Sequence, residues 1–315
     1  MNYHRPDKRN PNLPKWALMS FGPLQSNIGV LNYFDRFSGR PDTKVPPFRY
    51  EFGSRSLTTV RRKYRLDSVA GSGDDTSKAV NLSRWLCDSV PPGGASAVPN
   101  NSLALLEHSY GQPHGGPTGL NCAQFAVVLS ELLLSIGICA RIVILQDFNP
   151  NHGGNHCVTV AWCRTRRKWV MVDPLYHAFY SDGNGTVLNP WEIRHHLVHQ
   201  QPVLLNADWG SRNHPWNWSE ATLLTFYAKN LCYMGSPLIT GFASFDRKDN
   251  TGVWLIPKGF DPIYRELKLQ CFYRMRDSEQ IDFQVSRQQY LKERGRSLAQ
   301  RIFTSSLKSF ASSPE

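Results

Sequence analysis

The chain has no apolar run approaching the roughly 20 residues that span a bilayer. Its start, MNYHRPDKRNPNLPKW, is polar where a signal peptide carries an apolar stretch. The expectation is a cytoplasmic protein with no membrane partner. Cysteine is sparse and odd in number: seven in 315 residues, at 87, 122, 139, 157, 163, 232 and 271. That density does not make a disulfide scaffold and reads as reduced thiols. Acidic residues are in deficit, 25 Asp+Glu against 36 Lys+Arg, for a net charge of +11. The excess is uneven, with 13 Lys/Arg and 4 Asp/Glu in residues 1–65, which reads either as a site for an acidic partner or as a solvated basic surface. Dense acidic loops are missing too. The stretches SDGNGT and DRKDNTG carry too few carboxylates for a calcium site and read as ordinary turns; no metal and no cofactor are expected.

What is present suffices for a sizeable core, with 41% of residues hydrophobic. The first 50 residues, rich in Pro, Asn, Arg and aromatics, read as an irregular, partly packed extension. SLTTVRRKYRL reads as a strand, half-exposed because charge alternates with aromatic, and not as a nucleic-acid site. DDTSKAVNLSRWLCDSV opens with helix-capping residues and runs as a helix to PPGG. NSLALLEHSY is a second short helix, before the loop GQPHGGPTG. From Cys122 the apolar residues Phe125, Val128, Leu129, Leu132, Leu133 and Ile136 recur at helical spacing, with Gly137 as the C-cap. ICARIVIL, HCVTVAWC and KWVMVDP read as strands, the last two joined by a tight RTRR turn. Beyond Pro174 come a short polar helix through EIRHHLVH, a Trp-rich stretch, a helix capped by Ser219, a basic helix near 284–303 and a polar tail. The pattern is α+β: a helix feeding an antiparallel sheet.

Cys122 therefore stands at a helix N-terminus, where unpaired N–H groups favour thiolate and can receive an oxyanion. The glycines before it let the backbone turn and leave the thiol approachable. A cysteine at a helix start is by itself more often inert core; two further residues change that reading. With a two-residue turn at Thr165 and Arg166, Asp173 pairs with Val158, which makes His156 its diagonal neighbour on the same face. A carboxylate beside a histidine fixes its tautomer and stabilises the imidazolium that holds a cysteine as thiolate. Cys157 and Cys163 alternate to the other face and read as core. A zinc site from His152, His156, Cys157 and Cys163 is disfavoured by spacing and by that alternation.

The segments LNCAQFAVVLSELLLSIGICARIVIL, NHCVTVAW and KWVMVDP, in that order, resemble the catalytic core of the transglutaminase-like superfamily, papain-like cysteine enzymes. The likeness extends from about Asp74 through DGNGTVLNPWEIRHHL. It implies a papain-like, transglutaminase-like α+β fold with Cys122 as nucleophile, His156 as base and acid, and Asp173 as orienter. It divides the chain into a basic extension (1–73) packed on the core, the catalytic core (74–205) and a C-terminal extension (206–315). In related folds a side chain upstream of the cysteine assists the oxyanion, and Tyr110, Gln112 and His114 are the candidates here.

The function expected is acyl transfer: an amide or thioester donor acylates Cys122, and an amine resolves the thioester as an amide. The chain resembles, at superfamily level, homologues that form amide bonds in hybrid polyketide and peptide antibiotic assembly. That resemblance implies an acidic acyl or peptidyl carrier protein, bearing phosphopantetheine, as donor. A protease or amidase with the same triad is the alternative, and a catalytically silent binding module the second. Trp209, Trp216 and Trp218 are candidates for a substrate pocket, with simple packing as the plainer reading. His195, His196 and His199 read as a solvated face.

Overall fold

A computed structural model describes residues 22–94, 97–113, 118–148, 155–210, 218–262 and 301–314. Helices fill most of the described chain up to residue 135: α1 (Leu24–Tyr33), then the two-residue β1 (Arg49–Tyr50), α2 (Arg55–Lys63), α3 (Leu66–Ala70), α4 (Asp75–Ser89), α5 (Ser102–Ser109) and α6 (Cys122–Ser135). Side-chain caps set the starts of α2, α4, α5 and α6. Asp74 accepts from Ser77 N–H, Asn101 from Ala104 N–H and Asn121 from Gln124 N–H, each satisfying a donor the helix cannot.

After α6 come β2 (Ala140–Gln146), β3 (His156–Cys163), β4 (Lys168–Val172), β5 (Tyr180–Ser181), α7 (Pro190–Val198), β6 (Leu204–Leu205) and α8 (Glu220–Asn230). The described chain ends with β7 (Tyr233–Pro237), β8 (Ile239–Thr240), β9 (Gly252–Leu255), β10 (Arg301–Thr304) and α9 (Leu307–Phe310). The chain is thus mixed α+β. Its main sheet has six strands in the order β10-β9-β7-β2-β3-β4, antiparallel except for the β10–β9 pair.

Every residue of β3 is buried, as befits a strand inside a sheet with both faces covered. One cover is α6, which packs on β2 and β3 and is in turn covered by α2, α4 and α5. A helix enclosed on all sides should be apolar all round, and all of α6 from Gln124 to Ser135 is buried. On the other side of the sheet α8 packs against β2 and α1.

Several local readings change. Residues 55–63 form a helix, not a strand: Leu57 and Val60, three apart, are its two buried residues, and Ser54 caps it from Ser56 N–H. Burial follows the helical period, while the charge alternation lies only at its exposed end. The N-terminal extension contains α1, whose apolar residues Leu24, Ile28 and Leu31 face the core although no side chain caps it. Residues 301–304 pair with β9 as a strand, so a helix does not run to 303; residues 284–300 lie outside the described chain. Nor is the tail wholly polar. Phe310 is fully buried, edge-on to Phe48 and Trp191.

Candidate active site

Three elements bring the site together. Cys122 is the first residue of α6, and the Asn121–Gln124 capping box fixes that start: Asn121 accepts Gln124 N–H at 2.9 Å while Gln124 Oε1 accepts Asn121 N–H at 3.4 Å. The loop leading in is pinned to the end of α4. Leu120 N–H donates to Pro91 O and Gly93 N–H to Leu120 O, with Gly119 pressed against Gly93. A Cβ on either glycine would lie 2.7 Å from the other's Cα, so two glycines are needed for that approach.

β3 and β4 pair in the register the tight turn implies, Cys163 with Lys168 and Thr159 with Val172, and Arg167 N–H closes the turn on Arg164 O. Asp173 follows β4 on the same face as His156. His156 Nε2 lies 2.5 Å from Asp173 Oδ2, and both side chains are buried, at 2% and 0% exposure. With Nε2 taken by the carboxylate, Nδ1 is left for the thiol, and Cys122 and the imidazole each shift the other's ionisation. Burial opposes charge on His156, but the Asp173 carboxylate and the Cys122 contact outweigh it and push the imidazole up to about 10. The Cys122 thiol is held well below its ordinary value by a hydrogen bond from Cys157 and then, against burial, by His156. Both shifts favour thiolate and imidazolium as the resting pair.

Asp173 is itself tightly held. Its Oδ1 accepts Leu175 N–H at 2.9 Å, its Oδ2 accepts the Tyr227 hydroxyl as well as His156, and its backbone pairs with Ala178 in both directions. Aromatic rings wall in the histidine: Phe226, Tyr227 and Tyr176 have centroids 5.0, 5.6 and 5.7 Å from the imidazole. Water is kept from the His156–Asp173 contact, which strengthens it.

The remaining predicted residues are dispersed. Trp218 is stacked on Tyr176 at 5.4 Å and touches Phe226 at 5.3 Å, in the second row of rings around His156. Trp209 is half-buried against the core, and Trp216 lies outside the described residues. Tyr110 packs on Tyr64 and Trp85, lining an open groove of about 530 Å³ with Lys63, Tyr64, Arg65, Leu106 and Glu107. Gln112 is exposed, and His114 lies outside the described residues. His195 and His199 are exposed and His196 half-buried. Cys163 Sγ approaches Asp74 Oδ2 at 3.9 Å, on the opposite end of β3 from His156. His152 is outside the described residues, among which no group of three or more His, Cys, Asp or Glu could hold a metal.

Two residues of the site escape sequence reasoning. Tyr227 sits on α8, 54 residues beyond Asp173, and only tertiary packing joins them. Cys157 does alternate away from His156 and is buried core, but its face is the one on which α6 lies, and its thiol and that of Cys122 shift each other's ionisation. The strand alternation carried that signal; the placement of α6 did not show in the sequence.

Residues 62–174 match the transglutaminase-like superfamily. No curated protein matches the chain. A solved structure from Cytophaga hutchinsonii, provisionally described as a cysteine protease, is similar at 16% identity and a TM-score of 0.31, over 47% of this chain and 46% of that one. The match thus spans under half of that protein's length. Among the described residues no helix is long and apolar enough to cross a membrane. Residues 62–174, which hold Cys122, His156 and Asp173 at the start of α6 and the near ends of β3 and β4, are the part of the chain that matches the transglutaminase-like superfamily, and this match supports a cysteine-dependent enzyme.

Proposed function

We propose that the chain is a cysteine acyltransferase that makes an amide bond through a Cys122 thioester. The observation carrying the reading is the buried His156–Asp173 pair, whose imidazole is raised in part by the Cys122 thiol on the first turn of α6. The Cys122 thiolate attacks the carbonyl carbon of an amide or thioester, and the oxyanion faces the unpaired N–H groups of the α6 start. As the tetrahedral adduct collapses, the leaving amine or thiolate takes the proton from His156, and the acyl group remains as a thioester. An incoming amine then gives its proton to His156 and attacks that thioester. The amide leaves, and Cys122 returns as thiolate beside the imidazolium.

Transfer and hydrolysis share every step until an acceptor arrives. The aromatic walls around His156 favour an organic acceptor over water, and the surplus of positive charge in residues 1–65 suits an acidic carrier protein bearing the acyl group on phosphopantetheine. The test is a product balance. With an acyl thioester as donor and excess amine, amide should dominate, and donor turnover from an acidic carrier should fall as salt screens the encounter over a Debye length of about 8 Å. Free acid as the main product, together with ready cleavage of a peptide amide, would assign the site to a protease or amidase instead.

A further inference from the structure

Six of the seven cysteines lie among the described residues, all as thiols, and two of them meet at the site. The odd-numbered residues of β3 face α6, because Thr159 Oγ1 donates to Ala126 O at 3.3 Å. Two residues back along the strand is about 6.6 Å, and four residues back along the helix is about 6 Å. Cys157 therefore comes level with Cys122 at the same end of α6 and β3, and each thiol shifts the other's ionisation. Their exposures differ. Cys157 is buried at 3% and Cys122 is half-buried, so the outer thiol meets solutes and the inner one stands behind it.

A thiolate held ready for acyl transfer is also ready for oxidation. Sulfenic acid is the first product, and further oxidation to sulfinic acid is in general irreversible. We propose that Cys157 is a resolving thiol, so that a hydroperoxide converts the Cys122–Cys157 pair into a reversible disulfide that closes the site. The proposal rests on reading Cys122 as the reactive thiol.

The chemistry balances in two steps. The Cys122 thiolate attacks the outer oxygen of a hydroperoxide, giving Cys122 sulfenic acid and an alkoxide or hydroxide that takes its proton from His156. The Cys157 sulfur then attacks the sulfenic sulfur; the S–S bond forms, the S–O bond breaks, and the departing hydroxide takes the Cys157 proton as water. Two thiols are oxidised and one peroxide is reduced. A disulfide needs the two sulfurs about 2.0 Å apart, and the shared end of α6 and β3 is where Cys122 and Cys157 would meet.

The test uses the full chain and hydrogen peroxide. After exposure, remaining thiols are blocked with N-ethylmaleimide, the protein is digested without reductant, and the peptides are mapped by mass spectrometry. The expected result is a linked pair of peptides carrying Cys122 and Cys157, which separates on reduction and restores Cys122 labelling. In Cys157→Ser, peroxide should instead drive Cys122 to sulfinic acid, and reductant should fail to restore labelling. Recovery of Cys157 as its maleimide adduct while Cys122 is oxidised or untouched overturns the proposal, as does equal recovery of Cys122 in Cys157→Ser. The map reads thiols and not turnover. A cross-link in a protein that transfers no acyl group would refute the acyl-transfer reading alone, and normal transfer without the cross-link would refute this one alone.

Discussion

Replacing Asp173 by Asn should cost the enzyme most of its rate while leaving the fold standing, and the reason lies in how Asp173 is held. Leu175 N–H donates to Oδ1, so in Asp173→Asn the amide oxygen must take that position; turned the other way, the side-chain NH₂ would face a backbone N–H. The NH₂ then stands where Oδ2 was, against His156 Nε2. A donor there obliges Nε2 to accept and moves the ring proton to Nδ1, the nitrogen that should receive the thiol's proton. The imidazole is held in the wrong tautomer, and the charge that supports the imidazolium is gone. For a triad aspartate in a serine protease the same change lowers kcat about 10⁴-fold, roughly 5 kcal/mol of transition-state stabilisation at 1.36 kcal/mol per decade, and a similar loss is expected here. Steady-state kcat/KM with an acyl thioester and an amine measures it, and circular dichroism with thermal melting checks that the protein is folded. A folded Asp173→Asn protein within a few fold of wild type would refute the triad.

Tyr227→Phe removes a buried hydroxyl that donates to Asp173 Oδ2. A hydrogen bond to a charged group contributes about 1.5–3 kcal/mol, so the denaturation midpoint should fall accordingly, and the pH profile of the rate should shift because the carboxylate loses a competing donor. An unchanged midpoint and profile would remove Tyr227 from the site. Gly119→Ala places a Cβ 2.7 Å from the Gly93 Cα, which must push the loop before Cys122 away from the Pro92–Gly93 segment; both thermal stability and kcat should drop, and a neutral variant would show that the close approach is not needed. The pH dependence has a definite sign. His156, raised from 6.5 to about 10, contributes stability that is complete below about 6.5 and lost as pH rises through about 10. Cys122, lowered well below 9.0, contributes stability present above about 9 and lost as pH falls through its folded value. Between about 6.5 and 9 the folded and unfolded pairs bind the same number of protons, so their joint contribution to the melting temperature is level there and declines on either side. Iodoacetamide should accordingly label Cys122 rapidly at about pH 7; labelling that rises only above about pH 9 would mean no thiolate is held.

Legibility in the sequence followed the range of the forces involved. The start of α6 is a local matter of Asn121, Gln124 and the apolar period, and these place Cys122 correctly. The His156–Asp173 pairing needs only strand alternation and a tight turn, both local, and the register obeys them. Residues 55–63 mislead because two threonines and a valine favour strands in isolation, whereas the burial of Leu57 and Val60 against the core decides for helix. Tyr227 lies on α8 and reaches Asp173 across the sheet face, a contact that no local pattern encodes. Alternation puts Cys157 on the correct face without revealing its neighbour, because it gives a direction and only tertiary packing gives what waits there.

The most direct measurement is the mass of the protein after a brief incubation with an acyl thioester, followed by digestion and peptide mapping. The acyl mass should appear on the peptide carrying Cys122, be absent in Cys122→Ala, and disappear on adding an amine as the corresponding amide is formed. Acyl groups found on other residues, or none on Cys122 while donor is consumed, would contradict a Cys122 thioester and with it the function proposed for this site.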